Sequence, residues 1–182
     1  MIFSRKNKFL FIKGRKVGGT SFEMALSSIC GDEDIITPIA PVDERQRYEL
    51  TGRMGQNFGL AADQYSAYVD TIQNSAARNW LSAKTPMGRC YNHMPLSDVV
   101  RYLGEIPGDF RVICVERSPY YKVISLANCN ANSAAYRGTG AISNVEADGI
   151  RAKIDQLLDS GQIKKVYNRN LYVDANDRVR PS

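Results

Sequence analysis

The sequence predicts an α/β protein of three layers, in which a small, mainly parallel sheet carries helices on both faces. A short apolar run is followed twice by a turn and then by helix signals, first after Phe9–Ile12 and again after Val112–Val115. Repeated strand, turn and helix units are typical of parallel sheets, because each helix carries the chain back across a face of the sheet. The length of 182 residues and the hydrophobic content of 43% predict one globular domain, residues 1–182.

The first of these units ends in a glycine-rich loop. The apolar run Phe9–Ile12 suits a strand that is buried on both faces, and three glycines follow it: Gly14, Gly18 and Gly19. Glycines permit turns that a Cβ resists and let main-chain N–H groups approach a ligand closely. Thr20 and Glu23 have the S/T-x-x-E spacing of a capping box, which predicts a helix with Thr20 as its N-cap. Such a helix start favours an anion, most often a phosphate.

The loop differs from the Walker A pattern, G-x-x-x-x-G-K-[ST], at one decisive position. Gly14 and Gly19 have the required spacing, but Thr20 stands where that pattern has its lysine. The nearest loop lysine is Lys16, which precedes Thr20. A Walker lysine reaches the β- and γ-phosphates of a nucleoside triphosphate. Lys16 is instead expected to meet a phosphate from inside the loop.

The second unit places an arginine and a serine on a strand end and on the following helix. Val112–Val115 predicts a central strand, Arg117 follows it, and Pro119 suits the first turn of a helix. Ser125 then falls about two helical turns along that helix. Arginine suits phosphate because its planar fork gives two parallel hydrogen bonds. The alternative is that Arg117 pairs with a carboxylate such as Glu116 and that the Ser125 hydroxyl bonds back to its own helix.

The two segments together resemble the sulfotransferases that use 3′-phosphoadenosine 5′-phosphosulfate (PAPS). FIKGRKVGGTSFE resembles their 5′-phosphosulfate loop, and FRVICVERSPYYKVIS resembles their 3′-phosphate site, with Ser118 in place of the usual Asn or Asp. The resemblance implies a P-loop-like sulfotransferase fold and PAPS as co-substrate, without a metal. The cofactor-binding residues that it implies are Arg15, Lys16, Val17, Gly18, Gly19, Thr20, Ser21, Arg117 and Ser125.

His93 is the single histidine of the chain, in the segment Tyr91–Tyr102. A helix beginning near Pro95 or Ser97 would leave it in the preceding loop. The segment resembles one that carries the catalytic base in carbohydrate sulfotransferases, and transfer to a hydroxyl needs a base of near-neutral pKa, which histidine provides. The resemblance therefore implies that His93 takes the proton of an acceptor hydroxyl, expected on a saccharide, while Lys16 offsets charge on the leaving phosphate. The alternative is a structural histidine.

In the sulfotransferases that use PAPS, the segment between the two phosphate-binding motifs contributes to the acceptor pocket. It predicts a strand at Ile35–Ile39, a short helix from Pro41 to Tyr48 and a longer one from Leu60 to Leu81. The acceptor-pocket candidates are Asp43, Glu44, Arg45, Arg47, Gln56 and Asn57. The alternative for each of them is an ordinary surface residue.

The charge and the cysteine content indicate which kinds of partner, metal site and disulfide the sequence favours. The net charge of +5 suits an anionic co-substrate, and no long Lys/Arg block predicts nucleic-acid binding. Met1–Lys8 is polar and basic and no membrane span is evident, so we expect a cytoplasmic protein without membrane contact. The four cysteines lack C-x-x-C spacing and histidine partners, which favours neither zinc nor disulfides. Cys114, within the second apolar run, is expected to be buried.

The C-terminal part gives weaker signals. Ser143 and Glu146 have capping-box spacing before an amphipathic segment that Gly161 would close, and Val166–Val173 suggests a further strand. Members of the family continue beyond such a segment with another strand and helix, so we expect a fragment or a C-terminally shortened member. Two other functions remain open at this point: a P-loop nucleotide kinase, and a nucleotide-binding domain without catalysis. The acceptor's identity and the oligomeric state do not follow from these patterns.

Overall fold

Four short strands form one sheet in the part of the chain that the computed structural model describes, residues 1–74, 83–132 and 147–166. In chain order they are β1 (Ile2–Ser4), β2 (Phe9–Ile12), β3 (Ile35–Ile36) and β4 (Arg111–Cys114). The order across the sheet is β3-β1-β2-β4, with β2 parallel to β4 and β1 antiparallel to both of its neighbours. The α/β class is confirmed. The expectation of a mainly parallel sheet is wrong, because most of the described pairing is antiparallel.

The unpredicted strand β1 accounts for this difference. It has only three residues and is followed by a basic stretch, so the sequence gives it no measurable alternation. A tight turn folds it back onto β2, and Lys8 adopts a left-handed φ of 53° just before β2 begins. The carboxylate of Asp34 supports this turn by accepting hydrogen bonds from the Ser4 hydroxyl (2.7 Å) and the Arg5 backbone N–H (2.7 Å).

Six α-helices and one short 3₁₀ helix lie within the described residues. They are α1 (Gly19–Ser27), α2 (Pro41–Thr51), α3 (Ala62–Gln73), α4 (Leu96–Leu103), α5 (Pro119–Ala131), α6 (Ala147–Asp159) and the 3₁₀ helix Gln162–Val166. The helices predicted near Pro41 and Pro95 are confirmed. The predicted cap at Ser143 and strand at Val166–Val173 fall largely outside the described residues. No described helix has the length and apolar character needed to cross a membrane.

The contacts between residues divide the chain into two compact units. The first contains Met1–Gly14 and Gly18–Val115, and the second contains Arg15–Val17 and the described residues from Glu116 onward. The expectation of one domain over residues 1–182 stays a prediction.

In the first unit the alternation of side chains along the strands gives the sheet two apolar faces. Leu10 and Ile12 of β2 pack in one cluster with side chains of α3 and α4, among them Ile72 and Leu96. Phe9 and Phe11 lie in a separate cluster, against which Leu26 of α1 packs. Because successive residues of a strand point to opposite faces, the predicted arrangement of helices on both faces is confirmed within this unit.

β4 is the edge strand of the described part of the sheet, so the predicted central position is not seen among the described strands. It pairs with β2 alone among the described strands, and Arg111 and Cys114 are exposed. The expectation that Cys114 is buried is therefore wrong. A short apolar run predicts a strand, but its composition does not determine how many neighbours that strand has.

The second unit is built on α5 and α6. Leu126 and Ala127 of α5 are buried against Leu157 of α6, and Ile163 of the 3₁₀ helix packs beside them. This apolar contact holds α5, the helix that carries Ser125 and follows Arg117.

Candidate functional site

The glycine loop leads from β2 into α1 without a side-chain cap. Gly18 is the N-cap, with a left-handed φ of 78°, and no side chain among the described residues caps the first amides of α1. The prediction that Thr20 is the N-cap is wrong, because α1 already includes Gly19 and the capping-box partner Glu23 turns elsewhere. The start of α1 therefore presents amides that lack side-chain acceptors in the described structure, which suits an anion.

Glu23 forms a buried charge cluster behind the loop. Its Oε1 accepts a hydrogen bond from the amino group of Met1 at 2.8 Å, and its Oε2 forms an ion pair with Lys13 Nζ at 2.9 Å. Burial alone would raise the pKa of Glu23, but the Met1 amino group and Lys13 hold it down to about 2. Glu23 is thus a charged interior residue and not a helix cap.

Gly19 shows how closely the loop packs on this cluster. A Cβ at this position would lie 2.9 Å from Cγ of Lys13 and 3.4 Å from the carbonyl oxygen of Gly14. The first distance is shorter than real Cβ contacts, so a side chain here would displace the stem of Lys13. The absence of a Cβ lets the start of α1 lie directly on that stem.

His93 lies at the carboxyl end of β2. Its Nδ1 is 3.1 Å from the carbonyl oxygen of Lys13, the residue that follows β2. His93 itself has a left-handed φ of 59° and precedes α4, whose N-cap is Pro95. The predicted position in a loop before a helix is confirmed. The structure also brings the ring to the strand end from which the glycine loop departs.

Lys16, Arg117 and Ser125 belong to the second unit. Lys16 has a left-handed φ of 60°, a strained conformation of the kind that clusters at functional sites. The guanidinium of Arg117 lies 5.4 Å from the centroid of the Tyr121 ring, a cation–π geometry. The loop lysine thus belongs to the same compact unit as the two residues predicted to bind the 3′-phosphate.

The alternatives were that Arg117 pairs with Glu116 and that the Ser125 hydroxyl bonds back to its own helix, and the described contacts show neither of these interactions. Glu116 pairs with Lys122 Nζ at 2.8 Å, and it accepts a hydrogen bond from the backbone N–H of Arg117 at 2.7 Å. The Arg117 side chain has no carboxylate partner among the described residues. Ser160 bonds back to the carbonyl of Gln156 at 2.7 Å, but the Ser125 hydroxyl makes no comparable bond within the described part of α5.

The remaining loop residues differ in exposure. Arg15, Gly18 and Ser21 are exposed, Thr20 is half-buried, and Val17 and Gly19 are buried. Gly18–Ser21 belong to the first unit with His93, whereas Arg15–Val17 belong to the second.

Two of the acceptor-pocket candidates, Glu44 and Arg47, form a buried ion pair. Both side chains are 0% exposed, and Arg47 Nη2 lies 2.6 Å from Glu44 Oε2. Glu44 also accepts the backbone N–H groups of Ile39 (2.9 Å) and Gly55 (2.7 Å). These contacts tie α2 to the segments beside β3, and the alternative of ordinary surface residues is wrong for both side chains.

Three further acceptor-pocket candidates donate side-chain hydrogen bonds to backbone carbonyl groups. Arg45 Nη1 donates to the carbonyl of Ile72 at 2.8 Å, Gln56 Nε2 to that of Gly31 at 2.8 Å, and Asn57 Nδ2 to that of Asp32 at 2.6 Å. Asp43 differs from them, because it is half-buried in the first turn of α2 and accepts no hydrogen bond in the described structure. Burial raises its pKa, against the opposing effect of Lys13.

Sequence reasoning missed Lys13 and the interior role of Glu23. The signal for Lys13 was a charged residue directly after a fully apolar run, where a buried strand end leaves no room for solvent.

No cluster of three or more metal-ligating side chains occurs among the described residues. Comparisons of the chain with protein-family models, curated proteins and solved structures found no match.

Proposed function

We propose that this chain is a PAPS-dependent sulfotransferase of P-loop-like fold that transfers a sulfuryl group to a hydroxyl of a carbohydrate acceptor. The observation that carries the proposal is the end of β2. There an uncapped glycine turn enters α1, and the one histidine of the chain bonds to the carbonyl of Lys13. Sulfuryl transfer to a hydroxyl requires an anion-binding loop and a base, and the glycine turn and His93 are the proposed candidates for these two roles.

The proposal assigns each of the two phosphate groups of PAPS to its own set of residues. Gly18 and Gly19 leave the amides at the start of α1 open to a 5′-phosphosulfate, and Lys16 in the same loop adds a positive charge. Arg117 would hold the 3′-phosphate through its planar fork, with the Ser125 hydroxyl as a second donor. PAPS supplies the activated sulfuryl group when it is bound.

Each catalytic role follows from the chemistry of one side chain. His93 takes the proton of the acceptor hydroxyl, because its Nδ1 is engaged by the Lys13 carbonyl and Nε2 therefore carries the lone pair. Lys16 offsets the negative charge that grows on the leaving phosphate. Asp43 is the second candidate for the base, since it accepts no hydrogen bond in the described structure and is half-buried.

A nucleotide kinase is the first rival function. It would need a lysine where Thr20 stands and a metal-binding carboxylate at a strand end, where Glu116 is the carboxylate that follows β4. Glu116 is paired with Lys122, which argues against that role. Thermal shift with adenosine 3′,5′-bisphosphate and with ATP and magnesium separates the two functions. Stabilisation by the bisphosphate supports the sulfotransferase, and stabilisation by ATP and magnesium alone overturns it.

A non-catalytic nucleotide-binding domain is the second rival. Sugars, phenols and glycans would be screened with labelled PAPS. Transfer to a sugar or glycan supports the proposal, transfer to phenols alone corrects the acceptor class, and bisphosphate binding without transfer to any acceptor favours the rival.

Arg117→Ala is expected to weaken the binding of adenosine 3′,5′-bisphosphate by about 1.5 to 3 kcal/mol, the range for hydrogen bonds to a charged group. Isothermal titration calorimetry measures this loss. Arg151→Ala is the matched control, because it removes an exposed arginine from the same unit. Equal affinity of the Arg117 variant and the parent would show that the 3′-phosphate binds elsewhere.

Lys16→Ala is expected to lower sulfuryl transfer far more than the affinity for the desulfated product, because the charge that Lys16 meets grows in the transition state. The comparison needs turnover from PAPS and bisphosphate affinity on the same variant. Lys164→Ala, which removes an exposed lysine of that unit, controls for net charge. Similar losses in both measurements would reduce Lys16 to a binding residue.

A further inference from the structure

Lys13 links the helix that follows the glycine loop to the segment that carries His93. Its Nζ lies 2.9 Å from Oε2 of Glu23 on α1, and its carbonyl oxygen lies 3.1 Å from Nδ1 of His93. The side chain is only 3% exposed. One residue therefore contacts α1 through its side chain and the histidine through its main chain, all within the first unit.

The ion pair with Glu23 restricts the Lys13 side chain to one conformation. Glu23 is fully buried and also accepts hydrogen bonds from the Met1 amino group (2.8 Å) and the Thr37 hydroxyl (3.3 Å). A buried carboxylate with these partners is costly to move, because any displacement leaves a charge uncompensated. On its other side the stem of Lys13 meets Gly19, where even a Cβ would be too close.

The hydrogen bond to Lys13 defines the tautomer of His93. A carbonyl oxygen only accepts, so Nδ1 must carry the proton, and in the neutral ring Nε2 then carries the lone pair. His93 holds this contact from a left-handed backbone, φ 59°, which residues with a Cβ disfavour. Such a conformation persists only where surrounding contacts enforce it.

We propose that Lys13 and Glu23 are positioning residues, whose ion pair fixes the Lys13 carbonyl so that His93 is held with Nδ1 protonated and its lone pair on Nε2. Neither side chain touches the reacting atoms. The catalytic consequence rests on the proposed function, whereas the effect on the histidine does not.

Nitrogen-15 NMR of histidine-labelled protein tests the proposal directly. His93 is the single histidine, so its ring signals need no assignment. Spectra are recorded above about pH 8, where a histidine of ordinary pKa is neutral. The parent is expected to show the tautomer protonated at Nδ1. A parent protonated mainly at Nε2 would overturn the inference.

Variants of the ion pair test its part in holding that tautomer. Lys13→Met and Glu23→Gln keep the size of each side chain and remove one charge. Because each leaves a buried charge unpaired, the decisive variant is the double substitution Lys13→Met with Glu23→Gln, in which the glutamine oxygen still accepts from the Met1 amino group. We expect the double variant to show a mixture of tautomers. Retention of a single Nδ1-protonated form would contradict a positioning role.

The matched control is the other buried ion pair of this unit. Glu44→Gln with Arg47→Met removes two equally buried charges, and neither residue bonds to the Lys13 carbonyl or to His93 in the described structure. The tautomer is expected to stay as in the parent. A change of tautomer in this control as large as in the Lys13 and Glu23 variant would show that general loosening is responsible.

Turnover separates this inference from the proposed function. In the double Lys13 and Glu23 variant we expect turnover from PAPS to fall by up to about 10²-fold, the scale for a misplaced catalytic group, with bisphosphate affinity kept. A parent that shows the tautomer and its dependence on the ion pair, yet transfers no sulfuryl group, would refute the function and support the positioning. Full turnover in a double variant that has lost the tautomer would refute the catalytic part of the positioning role.

Discussion

Replacing His93 by alanine is expected to lower turnover from PAPS by about 10²- to 10⁴-fold, the usual range for loss of a general base. The affinity for adenosine 3′,5′-bisphosphate should stay near that of the parent, since the proposed role of the imidazole is to act on the acceptor hydroxyl. In the parent the rate should rise with pH along an acidic limb, because only the neutral ring accepts a proton. That acidic limb should vanish in the variant.

His93→Asn separates catalysis from backbone strain. Asparagine tolerates the left-handed conformation better than alanine does, and this residue has φ 59°. If both variants melt near the parent and lose turnover, the catalytic role holds. A large drop in melting temperature of the asparagine variant would support a structural histidine. Full turnover in either variant would move the search for the base to Asp43, because Glu44 and Glu116 are both committed to ion pairs.

Glu44→Ala is expected to destabilise the fold by about 3 to 5 kcal/mol, the cost of removing one partner from a buried ion pair. The variant leaves the guanidinium of Arg47 buried without its carboxylate, and it leaves the backbone N–H groups of Ile39 and Gly55 without their acceptor. The change in the free energy of unfolding is measured by denaturant unfolding of the variant and the parent, provided that their m-values are equal.

Glu49→Ala on the same helix is the control. Glu49 pairs with Arg45 four residues away, but its side chain is 57% exposed. Exposed pairs of this kind contribute about 0 to 1 kcal/mol. If the Glu44 and Glu49 variants lost similar stability, the Glu44–Arg47 pair would not have the structural role assigned to it.

Local signals predicted several elements correctly. The apolar run Phe9–Ile12 is a buried strand, and α2 and α4 begin where prolines indicated helix starts. His93 lies in the loop before α4, as the spacing to Pro95 required. These features depend on a few neighbouring residues, which a sequence displays directly.

Features that depend on distant partners were not predictable. The spacing of Thr20 and Glu23 satisfies a capping box, yet Glu23 turns to Lys13 and the Met1 amino group, because the charges in the interior attract it more strongly than a solvated amide. Glu44 and Arg47 have the composition of a surface helix but are fully buried in mutual contact. Only the tertiary arrangement distinguishes a buried pair from two solvated charges.

The mixed sheet joins strands that are close in the sequence with strands that are far apart, and this difference affects the order in which the strand pairs form during folding. The β1–β2 hairpin pairs Ser4 with Phe9, so only a tight turn must close before its hydrogen bonds form. The parallel pair joins Leu10 to Val112, and everything between them must be enclosed first. Since the entropic cost of closing a loop grows with its length and slows folding, the hairpin provides a local nucleus. We therefore expect β4 to join the sheet only after the long intervening segment has been brought into place.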